Sequence, residues 1–220
     1  MPKESTGQIE SPSHRRFQAS CEIVFCASAG LRGTDESAAV DSIRPGDWIY
    51  EIKFDGYRAL ALRGGSETRV LSRNQKDLGK KFTKIRDSIA ALDVQDAVID
   101  GEIVALDDKV RPSFQLLQGF DMGLVRPPIV FYAFDLLRLN GQDLRGLPIE
   151  ERKAKLAALL KNPPPAIRYS ASFTENIDAL LAKVRELGLE GLVGKRAGSK
   201  YDSKRRARGS SSSFTNKVHL

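Results

Sequence analysis

Apolar and polar residues alternate from Trp48 to Lys53, with Trp48, Tyr50 and Ile52 set against Ile49, Glu51 and Lys53. A period of two predicts a β-strand. Phe54-Asp55-Gly56 interrupts it, and Tyr57 to Arg63 resumes extended chain. The Gly64-Gly65 pair reads as a turn into a third strand at Arg69–Ser72. Phe82, Ile85, Ile89 and Leu92 then fall at helical spacing. A strand follows over Ala97–Val104, and Ser113 is placed to cap a short helix holding Phe114, Leu116 and Leu117. Ile129–Leu137 is apolar and aromatic around a single Asp135, the composition of a buried strand. Pro148 reads as the first helical residue of a segment running to Leu160, closed by Pro163-Pro164-Pro165. Thr174 is a candidate cap for a helix with Ile177, Leu180, Leu181, Val184 and Leu187 on one side and Gly188 at its end. Glu190–Arg196 reads as a last short strand.

Strands dominate and show no regular βαβ rhythm, which predicts an α+β fold with largely antiparallel sheets flanked by helices. Residues 1–45 show no sustained period and are expected to be poorly ordered. The Arg44-Pro45-Gly46-Asp47 turn opens an organised domain over 46–208. Residues 209–220 begin with Gly209 and Ser210–Ser213, a linker-like composition, and read as a tail.

Composition narrows the class. Hydrophobic residues make up 41% and charged residues 29%, enough for a core under a soluble surface. No apolar run approaches the roughly 20 residues of a membrane span, and the N-terminus lacks a secretory pattern, so a cytoplasmic monomer without a membrane partner is expected. Cys21 and Cys26, with His14 and His219 the only histidines, fall short of a zinc site and read as reduced thiols. The net charge of +7 is local: residues 195–220 hold eight Lys and Arg against Asp202, leaving the first 194 residues with no net charge. Such a segment suits a surface that meets phosphates, or a solvated basic tail.

Three segments carry candidate chemistry. Glu51-Ile52-Lys53-Phe54-Asp55-Gly56-Tyr57-Arg58 places a lysine on an otherwise apolar strand, a costly position unless the amine has a partner or a task. Asp100-Gly101-Glu102 and Glu190-Gly191-Leu192-Val193-Gly194-Lys195 put carboxylates where alternating strands should be apolar. Buried carboxylates demand cations, so the three segments point to one charged pocket. The plain alternatives are a structural ion-pair network, with Glu51 a surface carboxylate opposite Arg58, Arg73 a solvated turn residue and Phe134 ordinary core.

Lys53-Phe54-Asp55-Gly56-Tyr57-Arg58 resembles the K-x-D-G-x-R signature of covalent nucleotidyltransferases, and Tyr50–Ala59 is most similar to bacterial end-joining ATP-dependent DNA ligases. Ser72-Arg73-Asn74, Asp100-Gly101-Glu102, Phe131–Leu137 and Glu190–Lys195 follow in the order of that family's further motifs. The resemblance implies a nucleotidyltransferase (ATP-grasp-like) fold and a pathway in repair or recombination. In that pathway Lys53 captures AMP from ATP and passes it to a DNA 5′-phosphate, and a 3′-hydroxyl then displaces AMP to seal the nick. It implies nucleotide contacts from Glu51, Arg58, Arg73, Glu102, Phe134 and Lys195, with Glu102 and Glu190 toward Mg²⁺ or Mn²⁺. Its partners would be nicked or broken duplex DNA and end-joining repair proteins.

Two regions depart from the family pattern. Residues 1–45 do not resemble its usual Pro-containing segment. Its final motif, a Trp followed by two alternating lysines, meets Phe214, Asn216 and Val218 here, with Lys217 out of frame. The oligonucleotide-binding barrel that follows in related ligases is expected to be missing beyond Leu220. These departures keep two other readings open: a catalytically impaired nucleic-acid-binding remnant, and an RNA ligase or capping-type nucleotidyltransferase.

Overall fold

The computed structural model describes residues 48–174, 177–201 and, for the backbone, 215–219. Cys21, Cys26, His14, the basic residues Lys204, Arg205, Arg206 and Arg208, and the Gly209–Phe214 stretch lie outside it, as does the expectation for residues 1–45.

In chain order the strands and helices are β1 (Trp48–Ile52), β2 (Tyr57–Gly64), β3 (Glu67–Ser72), α1 (Thr83–Ala90), β4 (Asp96–Ala105), α2 (Phe114–Asp121), β5 (Ile129–Leu139), β6 (Gln142–Asp143), α3 (Ile149–Leu159), β7 (Ile167–Tyr169), β8 (Ser172–Phe173), α4 (Ile177–Glu186), β9 (Gly191–Arg196) and β10 (Thr215–His219). They form a four-stranded sheet in the order β10-β9-β1-β8 and a larger one in the order β3-β2-β4-β5-β6, to which β7 adds alongside β5. Every pairing is antiparallel except β5–β7. The α+β, largely antiparallel reading of the sequence holds.

Alternation along β4 explains the larger sheet. Ala97, Ile99, Ile103 and Ala105 join the main core with Ile85 and Ile89 of α1, Leu117 of α2 and Leu156 of α3. Val98 and Val104 join two smaller clusters on the alternate positions, with Leu62, Leu71 and Leu137 in one and Leu106 and Val130 in the other. Between these apolar ends, Asp100 and Glu102 occupy the same alternate face. Gly101 points the other way because nothing larger fits: a Cβ there would collide with the Phe131 ring and the Tyr132 carbonyl oxygen. Gly56 is as constrained, since a Cβ would run into the Ile103 carbonyl oxygen where β2 begins beside β4.

The β4–β5 register shifts twice. Gly101 pairs with Ala133 and Asp100 with Asp135, so Phe134 has no partner residue on β4; Leu137 is left over in the same way. These are bulges, which bend a strand and re-aim a side chain.

Helix ends follow their local signals. Ser113 accepts from the Leu116 N–H and caps α2. Gly188, at φ +64°, ends α4: its N–H donates to Arg185 O and that of Leu189 to Val184 O, the paired bonds of a left-handed helix stop. Two expectations need correction. Pro148 is extended, with φ −53° and ψ 148°, and precedes the first helical residue instead of being it; its ring satisfies the φ of either position, and ψ decides. The strand at Glu190–Arg196 is not the last, because β10 pairs with Gly191–Lys195 of β9 beyond it; Thr215–His219 is too short and too polar to announce itself by period. No helix among the described residues is long and apolar enough to cross a membrane.

Candidate active site

Lys53 directly follows β1, and its N–H donates to Gly191 O at 2.9 Å, locking the lysine beside the start of β9. Its Nζ forms an ion pair with Glu190, the residue before that strand. The lysine side chain is 14% exposed and the glutamate 35%, so the pair is partly open to solvent.

Glu51, two residues earlier, is buried. One carboxylate oxygen takes the Lys195 ammonium of β9 at 2.8 Å and the other takes Lys153 of α3 at 2.8 Å. Glu51 is therefore no surface carboxylate opposite Arg58. Arg58 instead grips Asp100 with two bonds, Nε to Oδ1 at 3.2 Å and Nη2 to Oδ2 at 2.7 Å. The Tyr201 hydroxyl donates to the same Oδ2 at 2.9 Å. Arg58 and Lys195 also approach the half-buried Phe134 ring, at 5.5 Å and 4.8 Å from its centroid.

Cross-strand register puts Arg58, Glu102 and Tyr132 in one row. Burial pushes the Glu102 carboxyl up to about 8, against the pull of Arg58 and with the help of Asp100, Asp55 and Glu190. Burial raises Asp55 as well, reinforced by Glu190 and opposed by Lys53. The neighbouring Asp100 holds Arg58 above its ordinary value, although burial opposes this. Glu102, Asp55 and Glu190 thus feel one another as like charges, next to a lysine and two further cations.

Of the residues singled out in the sequence, Glu51, Lys53, Arg58, Glu102, Phe134, Glu190 and Lys195 come together. Arg73 lies on the exposed turn after β3, one residue past the Ala59–Ser72 pair and so at the strand end nearest Arg58. Phe134 is not core: the bulge turns it toward the cations.

Sequence reasoning missed Lys153, Tyr201 and Arg152. Arg152 is almost fully enclosed, donating to both oxygens of Asp135 at 2.8 Å and 3.0 Å and to the Leu147 and Ser199 carbonyls at 2.6 Å and 3.1 Å. The signal was present: Arg152 and Lys153 stand between Ile149 and Leu156 at the spacing of the buried side of α3. For β10, the register aligns Lys217 with Val193 and, through it, Glu51, while Asn216 aligns with Gly194 and Tyr50.

The family model of the ATP dependent DNA ligase domain matches residues 32–210. The multifunctional non-homologous end joining protein LigD of Pseudomonas aeruginosa is 41% identical over 162 residues, which are 73% of this chain and 19% of that protein. LigD of Mycobacterium tuberculosis is 32% identical over 169 residues, 76% of this chain and 21% of that protein. The chain thus spans about a fifth of these two LigD relatives. Among solved structures, a mycobacterial DNA ligase D complexed with ATP and MES superposes with a TM-score of 0.68 at 28% identity, covering 86% of this chain and 60% of that one.

Proposed function

Since the chain belongs to the ATP-dependent DNA ligase domain family, we propose that it is the adenylation core of an end-joining DNA ligase, with Lys53 as the residue that carries AMP. The observation that supports this most is the placement of Lys53 against Glu190, beside a buried carboxylate bridged by two lysines and an aromatic ring flanked by two cations.

The reaction assigns each group a task. Lys53 Nζ gives up a proton and attacks the α-phosphorus of ATP; a P–N bond forms, the P–O bond to pyrophosphate breaks, and pyrophosphate leaves with the electron pair. A lysine amine is nucleophilic only when neutral. Glu190 is placed to hold the ammonium before reaction, and Lys195 and Arg58 stabilise the charge that develops on the phosphates. Phe134 stacks on the base, Glu51 faces its edge, and Arg73 reaches the ribose or, later, the DNA 5′-phosphate. An oxygen of that 5′-phosphate then displaces the lysine, and the DNA 3′-hydroxyl displaces AMP, closing the nick in repair or recombination.

Mg²⁺ or Mn²⁺ fits the same site. Glu102 and Glu190 repel one another as charged groups, which a divalent cation relieves. Mg²⁺ characteristically uses one or two carboxylates and completes its shell with phosphates and water, and among the described residues no three acidic, His or Cys side chains form a closed cage. Bound by Glu102 and Glu190, the ion would draw charge from the phosphates and favour the neutral amine. Duplex DNA with a nick or break is the proposed macromolecular substrate, in keeping with the end-joining proteins it resembles.

Incubation with α-labelled ATP and Mg²⁺, followed by a denaturing gel, tests the proposal. The label is expected on the wild-type chain and absent from Lys53→Ala. A label that survives in Lys53→Ala would remove Lys53 as the nucleophile. A wild-type chain that takes no label would favour a nucleic-acid-binding relative without catalysis.

A further inference from the structure

Lys153 has no role in the reaction above, yet it is buried beside the site. Its side chain is 4% exposed. An ammonium group has three protons to donate, and all three have acceptors: Glu51 Oε1 at 2.8 Å, Ser170 O at 3.0 Å and Phe134 O at 3.2 Å. The Tyr169 ring lies 5.3 Å away. These partners come from β1, from β5 and from the link between β7 and β8, so one nitrogen of α3 ties both sheets together. The Phe134 carbonyl belongs to the bulge residue without a partner on β4. Ser170 is itself fixed, its N–H donating to Ala133 O at 2.8 Å.

We infer that Lys153 is a positioning residue that sets the base preference of the nucleotide site, by fixing the Glu51 carboxylate and the Phe134 backbone at one separation suited to an aminopurine. The inference rests on the proposed function, which puts a base between these residues. Both carboxylate oxygens of Glu51 face ammonium groups, Oε1 toward Lys153 and Oε2 toward Lys195; an ionised carboxylate is acceptor-only. Two of its roughly four lone-pair positions are used, and one of the others is assigned here to the exocyclic amine of adenine. A keto purine presents an acceptor there and is repelled. Burial draws the Lys153 ammonium below its usual range while Glu51 pulls it back up. If Lys153 became methionine, three buried oxygens would lose a donor, and both Glu51 and Phe134 would be free to shift.

Equilibrium binding without divalent cation, which stops short of chemistry, provides the test. The probes are ATP, inosine triphosphate and purine riboside triphosphate, which lacks the amino group. Wild-type protein is expected to favour ATP over both by about tenfold or more, the scale of a lost hydrogen bond to a charged group. Lys153→Met is expected to cut that preference to about twofold or less, and Lys153→Arg to restore part of it. In labelling assays the KM for ATP should rise more than the maximal rate falls. Thermal unfolding checks that each variant is folded. Should Lys153→Met not fold, Lys153→Met with Glu51→Gln removes the charge pair together, and it should discriminate no worse than Glu51→Gln alone. A folded Lys153→Met that keeps the wild-type preference, or weakens all three nucleotides equally, overturns the inference. If wild-type protein binds none of the nucleotides and takes no label, the proposed function fails and this inference with it.

Discussion

Glu102 shows what a single residue gains from its surroundings. An exposed glutamate titrates near 4.5, whereas burial beside Asp100, Asp55 and Glu190 pushes this one up to about 8 despite Arg58. A carboxyl whose folded value exceeds its unfolded one binds its proton more tightly when folded. Its contribution to stability is therefore complete below 4.5 and is lost as pH rises through about 8. Without divalent cation, the Tm is expected to fall between pH 5 and pH 8.5, and Glu102→Gln, which keeps a neutral side chain, should flatten that fall. Thermal unfolding of both proteins over this range checks it; parallel curves would show that Glu102 is already ionised at neutral pH. Glu51 and Lys53 carry the opposite lesson. The sequence marked Lys53 because a charged residue in an apolar alternation needs a partner, and Glu51 through the family resemblance, but it did not identify the partners. Lys153 lies 102 residues from Glu51 along the chain and Glu190 lies still further from Lys53.

Among the elements, α3 and β5 do most to shape the site. α3 buries Arg152 and Lys153 side by side, one pairing with Asp135 and the other with Glu51. Asp135 and Asp100 face each other across β4 and β5, an arrangement that like charges disfavour. Each has its own arginine, and Tyr201 reaches both pairs, through its hydroxyl to Asp100 and through its ring to Arg152 at 5.9 Å. Removing one partner of such a buried pair leaves an uncompensated charge, so Arg152→Met is expected to cost about 3–5 kcal/mol in urea unfolding. Lys183→Ala, which breaks an exposed pair on α4, should stay within about 0.5 kcal/mol. Equal losses would mean that burial does not set the energetics of these pairs. The helix was legible from Pro148 and the Pro163–Pro165 stop, and the strand from its apolar and aromatic content. The bulge at Phe134 was not, because a register shift is a property of two strands and leaves no pattern in one.

The net charge of the whole molecule lies at one end of its sequence. The first 194 residues carry no net charge and the remainder carries +7, so contacts with a phosphate backbone should concentrate in the C-terminal part. Binding to nicked duplex is expected to weaken steeply with salt, with a slope of log affinity against log salt of about −4, as for four or five phosphates neutralised. Exchanging Lys204, Arg205 and Arg206 for glutamine should make the slope shallower by about 3. Filter binding or fluorescence anisotropy across a salt series measures both, and an unchanged slope in the variant would place the DNA contacts elsewhere. What the sequence determined by itself was local: strands from a period of two, helices from caps and a wider period, and the identity of the residues too polar for their positions. These follow from backbone geometry and from the cost of leaving a charge unpaired, both of which act within a few residues. The tertiary structure decided which charges meet, that Phe134 turns toward cations instead of into the core, and that Lys153 joins both sheets. Those outcomes depend on register and on packing between distant segments, where an Å of displacement makes or breaks a bond and no short stretch of chain holds the information.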